Sequence, residues 1–96
     1  MQIIGKVKKI YEVEKLKNDF KKRNFVITKD IDSEYPSDIL FELHNDKITL
    51  LDGIGDGDII SVDYSISAKY YEPKDNYFNT VKAWKIEVIE KAAVPF

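Results

Sequence analysis

The chain has 96 residues, 44% hydrophobic and 33% charged, with net charge −2 and no cysteine. This length supports one modest core and the composition is that of a globular chain rather than a disordered one; the missing cysteine excludes disulfides, thiol nucleophiles and cysteine zinc sites. The opening Met1-Gln2-Ile3-Ile4-Gly5-Lys6 holds no long apolar run, so neither a signal peptide nor a membrane span is predicted and a cytoplasmic location is expected.

Residues 2–13 mix apolar and basic positions (Ile3, Ile4, Val7, Ile10, Tyr11, Val13) and predict a first strand. Gly5 lies inside it, where glycine marks a bulge or a sharp bend of the kind a small barrel needs in order to curl. Strict alternation sets Ile4 and Ile10 on the face opposite Val7 and Tyr11. Glu14 to Asp19 is a polar loop. Phe20 to Lys29 is a second strand, with Phe25 and Ile27 on one face, and Asp30 to Asp38 is an acidic loop. Ile39 to His44 is a third strand that points Ile39, Phe41 and Leu43 one way. A short helix follows, with Asn45 or Asp46 as its cap, Ile48, Leu50, Leu51 and Ile54 at helical spacing, and Gly53 and Gly55 as its stop. The aspartate-glycine run Asp52 to Asp58 lacks an acid at the third position of a calcium loop and a glutamate at the twelfth, so it reads as a tight turn.

Residues 57–88 form the predicted centre of the chain, a long two-stranded hairpin. Its first arm alternates: Ile60, Val62, Tyr64, Ile66 and Ala68 share one face, and Ser61, Asp63, Ser65 and Ser67 the other. The connection Tyr71 to Asn76 carries Pro73, which suits a turn because it cannot donate to a ladder. Tyr70, Tyr71, Tyr77 and Phe78 gather there beside Lys69 and Lys74. Rings with cations around a hairpin tip make a stacking platform for single-stranded nucleic acid; the competing reading is that they close the end of a core. On the last strand Val81 and Ala83 share one face, and Lys82, Trp84 and Ile86 the other. Trp84 is then a stacking residue, a dimer contact or a cover over the helix.

Strand, strand, strand, helix, strand, strand is the layout of the OB-fold, a five-stranded all-β Greek-key barrel with one short helix between strands 3 and 4. The domain is expected over residues 1–91, with 92–96 as a short tail. The loops bordering the usual binding face are Glu14–Asp19 and Tyr71–Asn76. Charge is segregated along this layout: +6 over residues 1–29, −9 over 30–67 and +1 over 68–96. A basic pole on an acidic body matters more to a polyanion than the net value does. Catalysis finds little support, because the single histidine, His44, has no cysteine partner and no surrounding nucleophile or metal motif. No cofactor and no metal are expected.

Ile3-Ile4-Gly5-Lys6-Val7 resembles the opening strand of bacterial single-stranded DNA-binding proteins. Leu40 to Ile48, Gly57 to Val62, and Tyr70-Tyr71 with Tyr77-Phe78-Asn79-Thr80 resemble their later elements. More closely, Lys22-Arg23-Asn24-Phe25-Val26, Phe41 to Lys47 and Ala83-Trp84-Lys85-Ile86 resemble a family of small uncharacterised bacterial and phage OB-fold proteins. The chain departs from these families in having His44 where an aromatic usually precedes the helix. The terminal Val94-Pro95-Phe96 is similar to a Pro-Phe tip offered to partner proteins, but the usual run of aspartates before it is reduced to Glu87 and Glu90. The resemblance implies a role in replication or recombination, and assembly of copies through the first strand.

The expectation is therefore non-catalytic binding of single-stranded DNA, with RNA as a second candidate, with little sequence preference and no membrane partner. Lys6, Lys8, Lys21, Lys22 and Arg23 would meet phosphates; Phe20, His44, Tyr71 and Tyr77 would stack on bases. Lys69, Tyr70, Lys74, Lys82 and Trp84 complete the predicted surface. A homo-oligomer and a protein partner at Val94, Pro95 and Phe96 are also expected. The alternative is an OB-fold adaptor or structural subunit that binds protein.

Overall fold

The computed structural model of the chain describes residues 1–30 and 32–92. The chain forms six strands, β1 (Gln2–Ile10), β2 (Glu14–Lys15), β3 (Lys21–Lys29), β4 (Ser37–His44), β5 (Ile59–Tyr71) and β6 (Asn76–Glu90), and apolar alternation underlies all but the two-residue β2. Short 3-10 helices lie at Lys17–Asp19, Asn45–Leu51 and Glu72–Lys74. The sheet order is β1-β5-β6-β4-β3-β2, and β1 also pairs with β3, which closes the five long strands into a ring. All pairings are antiparallel except β4 with β6, which meet in parallel at Glu42 and Lys82. This is the predicted five-stranded barrel, with β2 added to the edge of β3.

Closure requires β1 to serve two neighbours. Gln2 to Lys6 pair with β5, and Lys6 to Ile10 pair with β3. Gly5 sits where the strand changes partner: a Cβ there would lie 2.8 Å from the Thr28 carbonyl oxygen and 3.0 Å from Ile27 Cδ1. Glycine is needed here for close approach, and the bulge lies three residues on, at Lys8, between the Val7–Ile27 and Lys9–Val26 pairs. The extra residue reverses the phase of β1. Ile10, expected opposite Val7, therefore packs against the core with it, while Tyr11 is turned outward and exposed.

The core is Val7, Phe25, Ile27, Phe41, Leu43, Leu51, Ile60, Val62 and Ala83. Phe25 and Phe41 stack at 5.2 Å, and Tyr64 meets Phe41 edge-on at 5.5 Å near the mouth of the barrel. The helix between β4 and β5 is a 3-10 helix of seven residues, Asn45–Leu51. Ile48 and Leu51 fall on one side at its three-residue period, Leu51 buried and Ile48 half-buried, so the segment seals one end of the barrel. The predicted cap differs: His44 occupies the N-cap, and its side chain makes no capping hydrogen bond to the helix. Asn45 has a left-handed φ of 52°, and its Oδ1 accepts instead from the Lys21 backbone N–H at 3.1 Å.

The Asp52–Asp58 turn is tied to the far end of β6. Asp58 is buried; its carboxylate accepts from Lys91 Nζ at 2.7 Å, the Ala92 N–H at 2.8 Å and the Gly55 N–H at 3.0 Å. These bonds, the Lys91 contact first, pull its pKa from the usual 3.8 down to about 2. Beside it, Gly57 has φ +91°, a conformation that L side chains rarely adopt.

Candidate nucleic-acid interface

Beyond Tyr64, β5 and β6 leave the barrel as a two-stranded arm tipped by the Glu72–Lys74 turn. The pairs Lys69–Phe78, Tyr70–Tyr77 and Tyr71–Asn76 define its register. Alternation separates the predicted cluster into two faces. Lys69, Tyr71 and Phe78 stand on the outer face, with Tyr71 and Phe78 edge to face at 6.2 Å. Tyr70 and Tyr77 are 5.0 Å apart on the inner face, the continuation of the side that carries Tyr64 and Ala83 into the core. The Tyr70 hydroxyl donates to Asp75 Oδ1 at 2.9 Å, which raises its pKa. Both pairs are open to water, Tyr71 at 46% and Tyr77 at 65%, so neither plugs a core.

Lys82 and Trp84 continue the outer face into the barrel. Tyr64 pairs with Ala83 and Asp63 with Lys85, so Trp84 is the extra residue of a β-bulge. Trp84 points outward at 49% exposure, as the alternation of Val81 and Ala83 required. Ile86, expected to share its face, is returned by the bulge to the core side and packs there. Lys85 is directed outward and pairs with Glu87 at 3.1 Å.

The parallel contact of Glu42 with Lys82 joins this surface to the outer side of β4 and β3. There Glu42 sits between His44 Nε2 at 3.2 Å and Lys22 Nζ at 3.9 Å, and Lys22 also faces Glu14 at 3.7 Å. Phe20 meets His44 edge-on at 5.0 Å, so these two predicted stacking residues do come together, both half-buried. Further along the same side, the β1 bulge opens a shallow groove of about 310 Å³ lined by Lys8, Lys9, Tyr11, Val26 and Asp38. Lys9 Nζ lies 4.6 Å over the Tyr11 ring. Leu40, paired with Val26, is 52% exposed at its border. Tyr11 was missed in the sequence reading because the phase change at Lys8 has no local signal; Val26 and Leu40 face outward as the alternation of β3 and β4 implies, and only the tertiary pairing brings them beside it.

Several predicted phosphate ligands are already engaged. Lys8 Nζ bonds Asp38 Oδ2 at 2.6 Å, and Asp38 also accepts from the Thr28 hydroxyl; the two contacts lower the Asp38 pKa, that of Lys8 most. Arg23 Nε donates to the Tyr11 carbonyl at 2.8 Å and braces the end of β1. Lys6, Lys21, Lys69, Lys74 and Lys82 form no ion pair among the described residues. Lys21 stands directly across from Lys15 where β2 meets β3, an opposition of like charges that costs stability unless an anion joins it. Leu16 and Asp19 line the pocket of about 530 Å³ beside them. Among the described residues no group of three or more His, Asp or Glu is placed to hold a metal ion, and no helix is long and apolar enough to cross a membrane. Val94-Pro95-Phe96 lies outside the described residues.

Ring closure in the order β1-β5-β6-β4-β3, with the helix between β4 and β5, defines an OB-fold protein. Within that class the chain belongs to a family described as a domain of unknown function, DUF3127, which matches residues 2–87. No curated protein matches the sequence. Among solved structures it is similar to the mitochondrial single-stranded DNA-binding protein Rim1 of S. cerevisiae, with TM-score 0.77, 13% identity and 96% of each chain covered. It is also similar to the N-terminal domain of PriB from Thermoanaerobacter tencongensis, described as dimeric, with TM-score 0.67, 20% identity and 95% and 96% coverage.

Proposed function

We propose that this protein binds single-stranded nucleic acid, DNA first, without catalysis and with little sequence preference. The observation that carries the reading is the outer face of the β5–β6 arm. There Lys69, Tyr71, Phe78, Lys82 and Trp84 alternate cation with exposed ring along one surface. A ring face accepts any base and a cation beside it holds the adjoining phosphate, which is the chemistry of sequence-tolerant single-strand binding. The description of Rim1 as a single-stranded DNA-binding protein supports the same reading.

The strand runs from the arm across Lys82 and Trp84 toward Phe20, His44 and Lys21. Glu42 is a carboxylate in that path; Lys22 Nζ at 3.9 Å offsets its charge and His44 Nε2 lies within hydrogen-bond reach at 3.2 Å. Duplex DNA is disfavoured because its bases are stacked on one another and cannot lie on rings. Fluorescence anisotropy with labelled oligo-dT, oligo-U and a duplex, across a salt series, tests this. With about four phosphates held, log K for the single strand should fall with log salt at a slope near −3. Equal affinity for duplex, or an affinity indifferent to salt, would overturn the reading. The oligo-U arm decides whether RNA is accepted as well as DNA.

A further inference from the structure

The groove beside the β1 bulge joins an apolar part to a polar one. Val26, its partner Leu40 and the Tyr11 ring make the first, and all three stand outward from the core. The polar part is ordered by two bonds. Lys8 Nζ donates to Asp38 Oδ2 at 2.6 Å, and the Thr28 hydroxyl donates to Asp38 Oδ1 at 2.7 Å. They hold the carboxylate in one orientation and lower its pKa, that of Lys8 most, so it is ionised at neutral pH. Each of its oxygens keeps a lone pair for a further donor. From Lys8 Nζ to Asp38 Oδ2 to Oδ1 the series is donor, acceptor, acceptor. That is the order of hydrogen-bonding groups along the pairing edge of cytosine.

We infer that this groove is a base-selective subsite that takes one guanine of the bound strand, Tyr11 stacking on the base while Lys8 and Asp38 read its pairing edge. The inference rests on the single-strand binding proposed above and adds one selective position to it. Guanine N1–H and N2–H donate to the two carboxylate oxygens, and its O6 accepts from Lys8. Adenine and cytosine each offer one exocyclic donor beside a bare ring nitrogen, and thymine one N–H between two carbonyls. Each of these would set a lone pair against the carboxylate. In a duplex the pairing edge is already occupied, so the subsite serves single strands. The Tyr11 ring face now carries the Lys9 ammonium at 4.6 Å; an arriving base takes that place, and Lys9 is left beside the base's own phosphate. The groove also adjoins the path of the strand. Glu42 pairs with Asn24, whose carbonyl accepts from the Tyr11 N–H at 3.0 Å. Two strand spacings, about 10 Å, therefore separate Glu42 from Tyr11, a distance one nucleotide spans. The groove volume of about 310 Å³ is at the low end of the roughly 300–1,000 Å³ of small-ligand sites, room for one base.

The test measures competition by fluorescence anisotropy with oligo-dT of about 12 nucleotides, within the roughly 4–16 nucleotides of an OB-fold site. One dG is placed at each position in turn, and at the best position it is exchanged for dA and for deoxyinosine. The best-placed dG should bind about tenfold tighter than plain oligo-dT, toward the low end of what a bidentate base contact gives because the ion pair is exposed. The dA strand should stay within about twofold of oligo-dT, which separates edge reading from the stronger stacking of a purine. Deoxyinosine, which lacks the N2 amino group, should keep only about threefold of the gain. Asp38→Asn removes the carboxylate and should bring dG to within about twofold of dA; its continued binding of oligo-dT shows that the variant is folded. Equal binding of dG and dA in every register, deoxyinosine as good as dG, or a guanine advantage that survives Asp38→Asn overturns this inference and leaves the binding reading standing. Failure of the wild type to bind any of these strands overturns both.

Discussion

Replacing Tyr71 by alanine removes one ring of the outer face and little else. The ring is 46% exposed and touches Phe78 edge-on at 6.2 Å, at the far end of the arm from the core cluster. The loss of stability should stay below about 1 kcal/mol, since an aromatic pair is worth roughly 0.5–1.5 kcal/mol and this one is half-solvated. For a domain of this size that is a fall in Tm of at most about 4–8 °C. The loss in binding is larger. Stacking of one base contributes about 1–3 kcal/mol, so affinity for oligo-dT should drop roughly 5- to 150-fold. Tyr71→Phe keeps the ring face and should bind within about twofold of wild type. Thermal melting and anisotropy on the same preparations separate the two effects. A folded Tyr71→Ala protein that binds oligo-dT as tightly as wild type would refute the stacking role, and with it the assignment of the outer face.

Asp38→Asn releases Lys8 from its ion pair and should raise oligo-dT affinity, steepening the salt slope by about 0.7 as one more phosphate is held; an unchanged slope would exclude Lys8 from the path. Gly5→Ala drives a Cβ against the Thr28 carbonyl oxygen and should cost about 1–3 kcal/mol by denaturant melting, because backbone of two paired strands has to move. Asp58 titrates at about 2 in the folded chain, below its usual 3.8, so its contribution is present at neutral pH and is lost as the pH falls through that interval. Asp58→Asn should accordingly be less stable than wild type at pH 7, and the difference should shrink as the pH approaches 2. Phe41→Ala, which empties the centre of the Phe25–Phe41–Tyr64 stack, should cost about 3–5 kcal/mol and leave the protein near its unfolding threshold.

The order of elements was legible because alternation is a local property. Phe25 and Ile27, Phe41 and Leu43, and Ile60 and Val62 each declare a buried face within a few residues, and all six are in the core. The hairpin, its polar tip and the outward Trp84 followed from the same period of two. What failed was phase after an irregularity. Ile10 and Ile86 each lie just past a bulge, at Lys8 and Trp84, and each was assigned to the wrong face. The helix cap failed for a related reason, since Asn45 spends its side chain on the Lys21 backbone of a neighbouring strand.

For the candidate site the same division holds. The residue types were readable: lysines with tyrosines around a proline-bearing turn, and one histidine without a catalytic partner. Their sharing of a surface was not. The two aromatic pairs, adjacent in sequence, stand on opposite faces of the arm, while Tyr11, Lys9 and Leu40, from different strands, border one groove. Which lysines are free depends on partners such as Asp38, thirty residues from Lys8 along the chain. Local sequence determines where strands run and which side chains alternate, because those follow from backbone stereochemistry within a few residues. Ring closure decides where the extra residues are accommodated, because five strands meet only if β1 and β6 bend. Each bend turns the following side chains over, and with them the surface that the barrel presents.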